Sequence, residues 1–289
     1  MKRRTLSHSQ LYAVQTCGEY YRRKWIEGDQ QPGTAQMKRG LSVHKVAQES
    51  HRRQLAAKLE VGPIPDALIG VLPTVAEARE MGAAAFEHEL EEGITVSKAA
   101  IRAEGSRENV IGNEKDLAVA LSGAYVQIVA PKVNPIAVER RIKVRPMLPG
   151  VGEAPFDVTG VYDLVEETRD GQERISDTKT GGRRAKDGEA ERSEQLPLYA
   201  LLRAADTGGR MPRYGMIRHL SASGRWPEVS EQEIEFSRAK LLAVIARMEV
   251  AHAAIEAGVF VPAQSSHWKC SAKWCEFFDS CRYVVGRRD

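Results

Sequence analysis

Two carboxylates and a lysine stand where strand geometry can gather them. Asp163 lies late in the run 156–167 (FDVTGVYDLVEE), and Asp177 and Lys179 lie in the run 173–180 (ERISDTKT). Side chains at i and i+2 of a strand share a face. Asp177 and Lys179 would therefore project together, with Thr178 opposite. Arg169-Asp170-Gly171 between the runs is a hairpin turn signal, and pairing across it could bring Asp163 alongside. Two carboxylates aimed at one point repel unless a cation occupies it, and hard oxygen ligands suit Mg²⁺ or Mn²⁺. Such an ion can polarise a phosphate and lower the pKa of a bound water, while Lys179 orients that water or stabilises developing charge. Taken alone, an Asp and a Lys two apart on a strand are more often an exposed pair of modest worth.

The second reactive set is sulfur. The chain has four cysteines, Cys17, Cys270, Cys275 and Cys281, the last three spaced C-x4-C-x5-C. Three thiolates within twelve residues can share one small inorganic centre. Cys17 could be the fourth ligand if the first helix packs against the tail. Four thiolates fit either a [4Fe–4S] cluster or tetrahedral zinc, with His267 as a spare ligand for zinc. The alternative is a set of buried free thiols, which pack as small apolar groups. Trp268, Trp274, Phe277 and Phe278 could stack on bases, although packing around the centre suits most of them better.

The elements that must position these residues follow from periodicity. Ser7-x-x-Gln10 is a capping box for a helix running to about Glu27. A second helix covers about 35–58, with Met37, Leu41, His44, His51 and Leu55 on one stripe. Residues 62–130 read as mostly helical and acidic. From 135 the period changes to strands, at about 136–144, 156–167 and 173–180. A helix at 189–206, a strand at 213–221 and a long helix at 230–257 follow. Gln195 and Tyr199 are four apart and share a helix face. Glu139 could add another acid near Asp163, but a solvated charge paired with Arg141 or Lys143 is the simpler reading.

Composition bounds the partners. The chain has 289 residues, 42% hydrophobic and 28% charged, with net charge +3. That is the make-up of a soluble globular protein, and neither a membrane span nor a secretory leader stands out, so a cytoplasmic location is expected. Residues 1–60 carry twelve Lys/Arg against five Asp/Glu, whereas 61–130 carry five against eleven. A local basic excess can neutralise phosphates. Arg183, Arg184 and Lys186 add positive charge just after Lys179.

Gly160-x-x-Asp163, Asp177-Thr-Lys179-Thr-Gly181 and Gln195-x-x-x-Tyr199 occur in this order with short spacers. The run resembles the RecB-type branch of the PD-(D/E)XK nucleases, which carries a G-x-x-D strand, a D-x-K-T-G strand and a Q-x-x-x-Y helix. Gly40-Leu-Ser-Val-His44 looks like the helical G-x-x-x-H element of that branch, and Ser7-x-Ser9-x-Leu11…Cys17 like its N-terminal helix. The resemblance implies an α/β fold: a restriction-endonuclease-like core with a central mixed sheet flanked by helices. The division expected is a helical region 1–134, a nuclease core 135–258 and a cysteine-rich tail 259–289 closing onto the first helix. The resemblance also implies His44, Asp163, Asp177 and the Thr178 backbone carbonyl as metal ligands, with Lys179 as catalytic lysine. Gln195 and Tyr199 would contact DNA or support Lys179, and Arg183 and Arg184 would hold phosphates.

The cysteine layout resembles the iron–sulfur members of the branch. These include the nuclease partner of CRISPR adaptation, AddB-type subunits and phage exonucleases. It implies a [4Fe–4S] cluster tying the first helix to the tail. The tail departs from the usual C-x2-C-x5-C, and Gly18 follows Cys17 where many members have proline. The function implied is a Mg²⁺- or Mn²⁺-dependent DNA exonuclease acting at single-stranded ends, in recombination, repair or phage or CRISPR DNA processing. A helicase or recombinase would be a natural partner. The competing readings are a non-catalytic DNA-binding subunit and a structure- or sequence-specific endonuclease.

Overall fold

A computed structural model describes residues 3–61, 72–148, 152–182, 184–222, 227–271 and 274–284. Strand β1 (Thr5–Leu6) leads into α1 (His8–Thr16) and α2 (Gly18–Tyr21), which continues as a π-helical turn at Arg22–Ile26. Helices α3 (Ala35–Val61), α4 (Val75–Glu91), α5 (Lys98–Glu104) and α6 (Arg107–Ala124) follow. The chain then forms β2 (Pro135–Val144), β3 (Met147–Leu148), β4 (Gly152–Glu153), β5 (Asp157–Glu167) and β6 (Glu173–Gly181). It ends with α7 (Glu189–Arg192), α8 (Gln195–Asp206), β7 (Tyr214–Ser221), β8 (Glu228–Glu235), α9 (Arg238–Glu256) and the tail.

The result is the expected mixed sheet with flanking helices. β6 and β7 run parallel, and β8 closes that side antiparallel to β7. Period-2 alternation sends Ile175 and Ile217 into a core shared with α1, α8 and α9. Leu220, of the opposite parity on β7, and Leu164 of β5 pack in a second core with α3, α4 and α6. Each such apolar side chain contributes about 1.5–3 kcal/mol when fully buried. The sheet is thus packed on both faces. Among the described residues, no helix is long and apolar enough to cross a membrane.

The structure corrects three expectations. The first helix is not continuous. Cys17 takes an extended conformation (φ −159°, ψ 100°), capping α1 and starting α2. The segment 230–257 is not one helix, because 228–235 is the strand β8. Its glutamates suit a helix locally, but tertiary pairing wins: Glu231 binds Arg218 and Glu235 binds Arg213, both on or beside β7. On α3, Met37 and Leu41 are exposed rather than core, whereas His51 is buried.

Candidate active site

The site forms where two strands part. The β5–β6 ladder runs from Glu167↔Glu173 to Leu164↔Ser176 and stops. One step further the facing pair is Asp163 and Asp177. β5 keeps β2 along its other edge, and β1 pairs with it again at Asp157 and Val158. Between Val158 and Leu164 that edge of β5 is open among the described residues. Asp163 fills the opening with its side chain: the Thr178 amide donates to its Oδ2 at 3.2 Å.

Asp177 and Lys179 share a face of β6, and Thr178 faces the other way. Lys179 Nζ lies 3.1 Å from Asp177 Oδ1 and 2.8 Å from Oδ2. The Oδ1 contact is the hydrogen bond; Oδ2 is buried and accepts none. Lys179 also donates to Gln195 Oε1 at 2.8 Å, and Gln195 Nε2 donates to the Tyr199 hydroxyl at 2.9 Å. The first turn of α8 therefore holds the lysine. α8 can lie this close because residue 160 is glycine: a Cβ there would sit 2.6 Å from Leu202 Cδ1 and 3.0 Å from Tyr199 Cε1. Burial works against the Lys179 charge, but Asp177, with Asp163 and Glu189 adding to it, holds the ammonium above the ordinary lysine range. Burial pushes the Asp163 carboxyl up; His44 opposes this, and the negative charge of Asp177 adds to it.

His44 projects from α3, and its Nδ1 is 3.3 Å from Asp163 Oδ2. On the far face of β6, the Tyr125 hydroxyl lies close enough to the Thr178 side chain to be influenced by it. The Tyr125 hydroxyl is 2.6 Å from His51 Nε2, and His51 Nδ1 is 2.6 Å from Gln54 Oε1. Gln54 donates to the carbonyls of Ala130 and Val133. His51, for which the sequence suggested no role, is thus the centre of a buried brace behind Thr178. Arg184 is exposed and pairs with Glu228 at 3.5 Å, and Arg183 lies outside the described residues.

Two further residues reach the site without a sequence signal strong enough to assign them. Glu139 lines a small pocket with His44, Gln48, Asp163 and Thr178. It is the described non-glycine residue with positive φ, at 41°, a conformation bulky residues avoid. Its expected partner Lys143 pairs with Asp157 instead. His8, at the start of α1, is close enough to Lys179 and Asp177 for both charges to act on it. Burial and Lys179 lower its pKa to about 4, so the ring is neutral near pH 7.

Among the described residues, no three His, Cys, Asp or Glu side chains are placed to hold one ion as they stand. The donor chemistry nevertheless fits a hard divalent cation: two facing carboxylates, an imidazole beside one of them, and a buried Asp177 oxygen without a hydrogen bond. The Lys179 ammonium supplies the positive charge beside Asp177 in this arrangement.

The cysteines are brought to one side of the molecule. The Ala263 amide donates to Cys17 Sγ at 3.3 Å, and the Gly18 amide donates to Val261 O at 2.7 Å. A Cβ on Gly18 would sit 2.6 Å from Val261 N and 2.7 Å from Phe260 backbone atoms, so this contact requires glycine. Tyr20 packs on Phe277 at 5.3 Å, and Lys24 binds Glu276 at 2.9 Å. The first helices and the tail therefore clasp. All four cysteines are partly buried, and no disulfide joins them among the described residues. Burial raises Cys275 to about 11, with Cys17 and Cys281 adding to the rise. Burial, Cys281 and Cys17 raise Cys270. The thiols thus share one neighbourhood and match a soft centre in number and kind, without converging on a point in this structure.

The family model of the PD-(D/E)XK nuclease superfamily matches residues 5–282. Among solved structures, the chain resembles SSO0001 at 14% identity, covering 81% of this chain and 95% of that one, with a TM-score of 0.34. It also resembles a "putative exonuclease" from Eubacterium rectale at 9% identity, covering 99% and 91%, with a TM-score of 0.49. Neither likeness carries an argument about activity. No curated protein sequence matches the chain.

Proposed function

Since this chain belongs to the PD-(D/E)XK nuclease superfamily, we propose that it hydrolyses DNA phosphodiester bonds at single-stranded ends with Mg²⁺ or Mn²⁺. The observation that carries this reading is the hydrogen-bonded run Asp177–Lys179–Gln195–Tyr199 beside Asp163 at the opening of the sheet. Asp163, Asp177, His44 and the Thr178 carbonyl would hold the ion. When bound, such an ion polarises the scissile phosphate and draws off charge.

The chain's own residues divide the remaining work. Lys179, held by Asp177 and Gln195, would orient the attacking water or donate to the phosphate oxygens. Gln195 and Asp177 fix its direction, so little reorganisation is needed as charge develops. The brace from Gln54 through His51 and Tyr125 stands behind Thr178 and the backbone that would face the ion.

The four thiols support a second, structural part of the reading: a [4Fe–4S] cluster, with zinc as the competing centre, that locks the clasp between α1–α2 and the tail. Metal analysis of anaerobically purified protein tests it. Iron and sulfide near four per chain agree with the cluster, whereas one zinc per chain and no iron contradicts it. Work in recombination, repair or CRISPR-type DNA processing beside a helicase or recombinase suits such an enzyme. The division into helical region, core and closing tail is proposed on the same grounds.

A time course on end-labelled single- and double-stranded DNA, with Mg²⁺, Mn²⁺ or EDTA, tests the activity. Metal-dependent shortening of single strands from their ends agrees with the reading. Cleavage of closed circles with equal ease would retire the exonuclease part.

A further inference from the structure

Glu139 and Gln48 remain after the catalytic residues and the clasp are assigned. On β2 and β5, Val138 pairs with Leu164 and Arg140 with Tyr162. Glu139 therefore stands opposite Asp163, with Cα atoms about 4.5–5.5 Å apart, as for facing residues of antiparallel strands. Asp177 stands opposite Asp163 on its other side, one step beyond the pair Leu164 and Ser176. Three carboxylates thus occupy one row across β2, β5 and β6. Lys179 pairs with Asp177, and His44 lies beside Asp163. Among the described residues nothing pairs with Glu139: its neighbour Arg140 binds Asp206, and Lys143 binds Asp157.

This row meets α3 at a small pocket, which Glu139, Asp163, His44, Gln48 and Thr178 help to line. Its volume of about 10 Å³ is room for one water-sized sphere and for no organic group. Gln48 is four residues after His44, on the same helix face. It is 5% exposed, yet its amide makes no hydrogen bond among the described residues. Buried amides are nearly always partnered. Asp163 uses Oδ2 for the Thr178 amide and His44, which leaves its Oδ1 uncommitted.

We infer that Glu139, Asp163 and Gln48 hold a second divalent cation, Mg²⁺ or Mn²⁺, on the α3 side of Asp163, and that Asp163 is shared between the two ions. Two carboxylates and an amide oxygen are hard donors, and waters complete the octahedron such ions require. A basic side chain from a partner could neutralise Glu139, but a pocket of this size admits only an ion. The spacing also suits a pair. Neighbouring strands are about 4.8 Å apart, and paired catalytic ions are about 3.5–4 Å apart. Ions on either side of Asp163 would stand near that separation. When bound, the second ion adds a Lewis acid beside the phosphate that the first polarises. The inference rests on the metal site of the nuclease reading, and its test separates the two.

Native protein, purified anaerobically, is titrated with Mn²⁺ alone, and the EPR signal of free Mn²⁺ counts the ions taken up. Frozen samples then report whether the bound ions are magnetically coupled, as ions bridged by one carboxylate are. The second site predicts two ions per chain and a coupled spectrum. Glu139→Gly removes the carboxylate, and glycine adopts the positive φ of this position (41°) without strain. That variant should take up one ion, uncoupled. Gln48→Met keeps the volume and removes the amide oxygen. It should weaken the second uptake by about 10- to 100-fold, the range for losing a supporting group at a metal site. Melting temperatures equal to the native value exclude unfolding as the cause. Uptake of one ion by the native protein overturns the second site, as does a coupled pair in Glu139→Gly. Hydrolysis of an end-labelled single strand is followed separately with Mn²⁺. Two coupled ions without hydrolysis support the second site while retiring the nuclease reading. Hydrolysis by native protein that takes up one ion does the reverse.

Discussion

Lys179 Nζ donates to Gln195 Oε1 across 2.8 Å. The lysine comes from β6 and the glutamine from the first turn of α8, so one hydrogen bond joins the sheet to the helix at the proposed catalytic centre. Gln195→Ala should leave Lys179 paired only with Asp177. The expected result is a fall in kcat of about 10- to 100-fold with little change in KM, because a donor aimed at the transition state loses its support. Steady-state kinetics on single-stranded DNA measure this. A rise in KM at constant kcat would instead make Gln195 a substrate-binding residue.

Gly18→Ala tests the clasp. The new methyl group would strike backbone atoms of Phe260 and Val261 at 2.6–2.7 Å, and backbone cannot rotate aside as a side chain can. The tail should lift from Cys17. Limited proteolysis should then cut within residues 259–284, and the melting temperature should drop by several degrees, the size expected for about 1–3 kcal/mol of overpacking. A native-like proteolysis pattern would show that the ends are held by other means.

Stability should depend on His51 in acid. Burial lowers its pKa from 6.5 to about 4, so the unfolded chain takes up a proton before the folded one does. The contribution is complete above pH 6.5 and is lost as pH falls from 6.5 to 4. The loss amounts to at most about 3 kcal/mol for this shift. Denaturant unfolding at pH 7 and pH 4.5 should show a smaller acid loss in His51→Gln than in the native protein. Equal losses would show that His51 is not protonated on unfolding in this range.

Much of the site was legible because its motifs are local. The i,i+2 rule placed Asp177 and Lys179 on one face, and the i,i+4 rule placed Gln195 and Tyr199 on another. The sequence carried the clasp as a pattern of four cysteines, and Gly18 acquires its reason only from the backbone of Val261. What stayed hidden depends on contacts between distant segments. His8 comes within range of the Lys179 charge because β1 pairs with β5 beside the opening, which no local signal announces. Glu139 lines one pocket with His44 and has a positive φ of 41° inside a strand, where no local signal marks it. β8 was misread as helix because its glutamates find arginine partners on and beside β7, far away in sequence.

The central claim is that Asp163, Asp177 and Lys179 form the catalytic centre of a DNA-cleaving enzyme. The most direct measurement is cleavage of end-labelled single-stranded DNA with Mn²⁺ by native protein and by Lys179→Ala, with binding and melting temperature measured alongside. The account predicts a loss of at least about 100-fold in cleavage rate, as for removal of a transition-state donor, with DNA affinity and folding retained. Metal-dependent cleavage by Lys179→Ala at the native rate would contradict it.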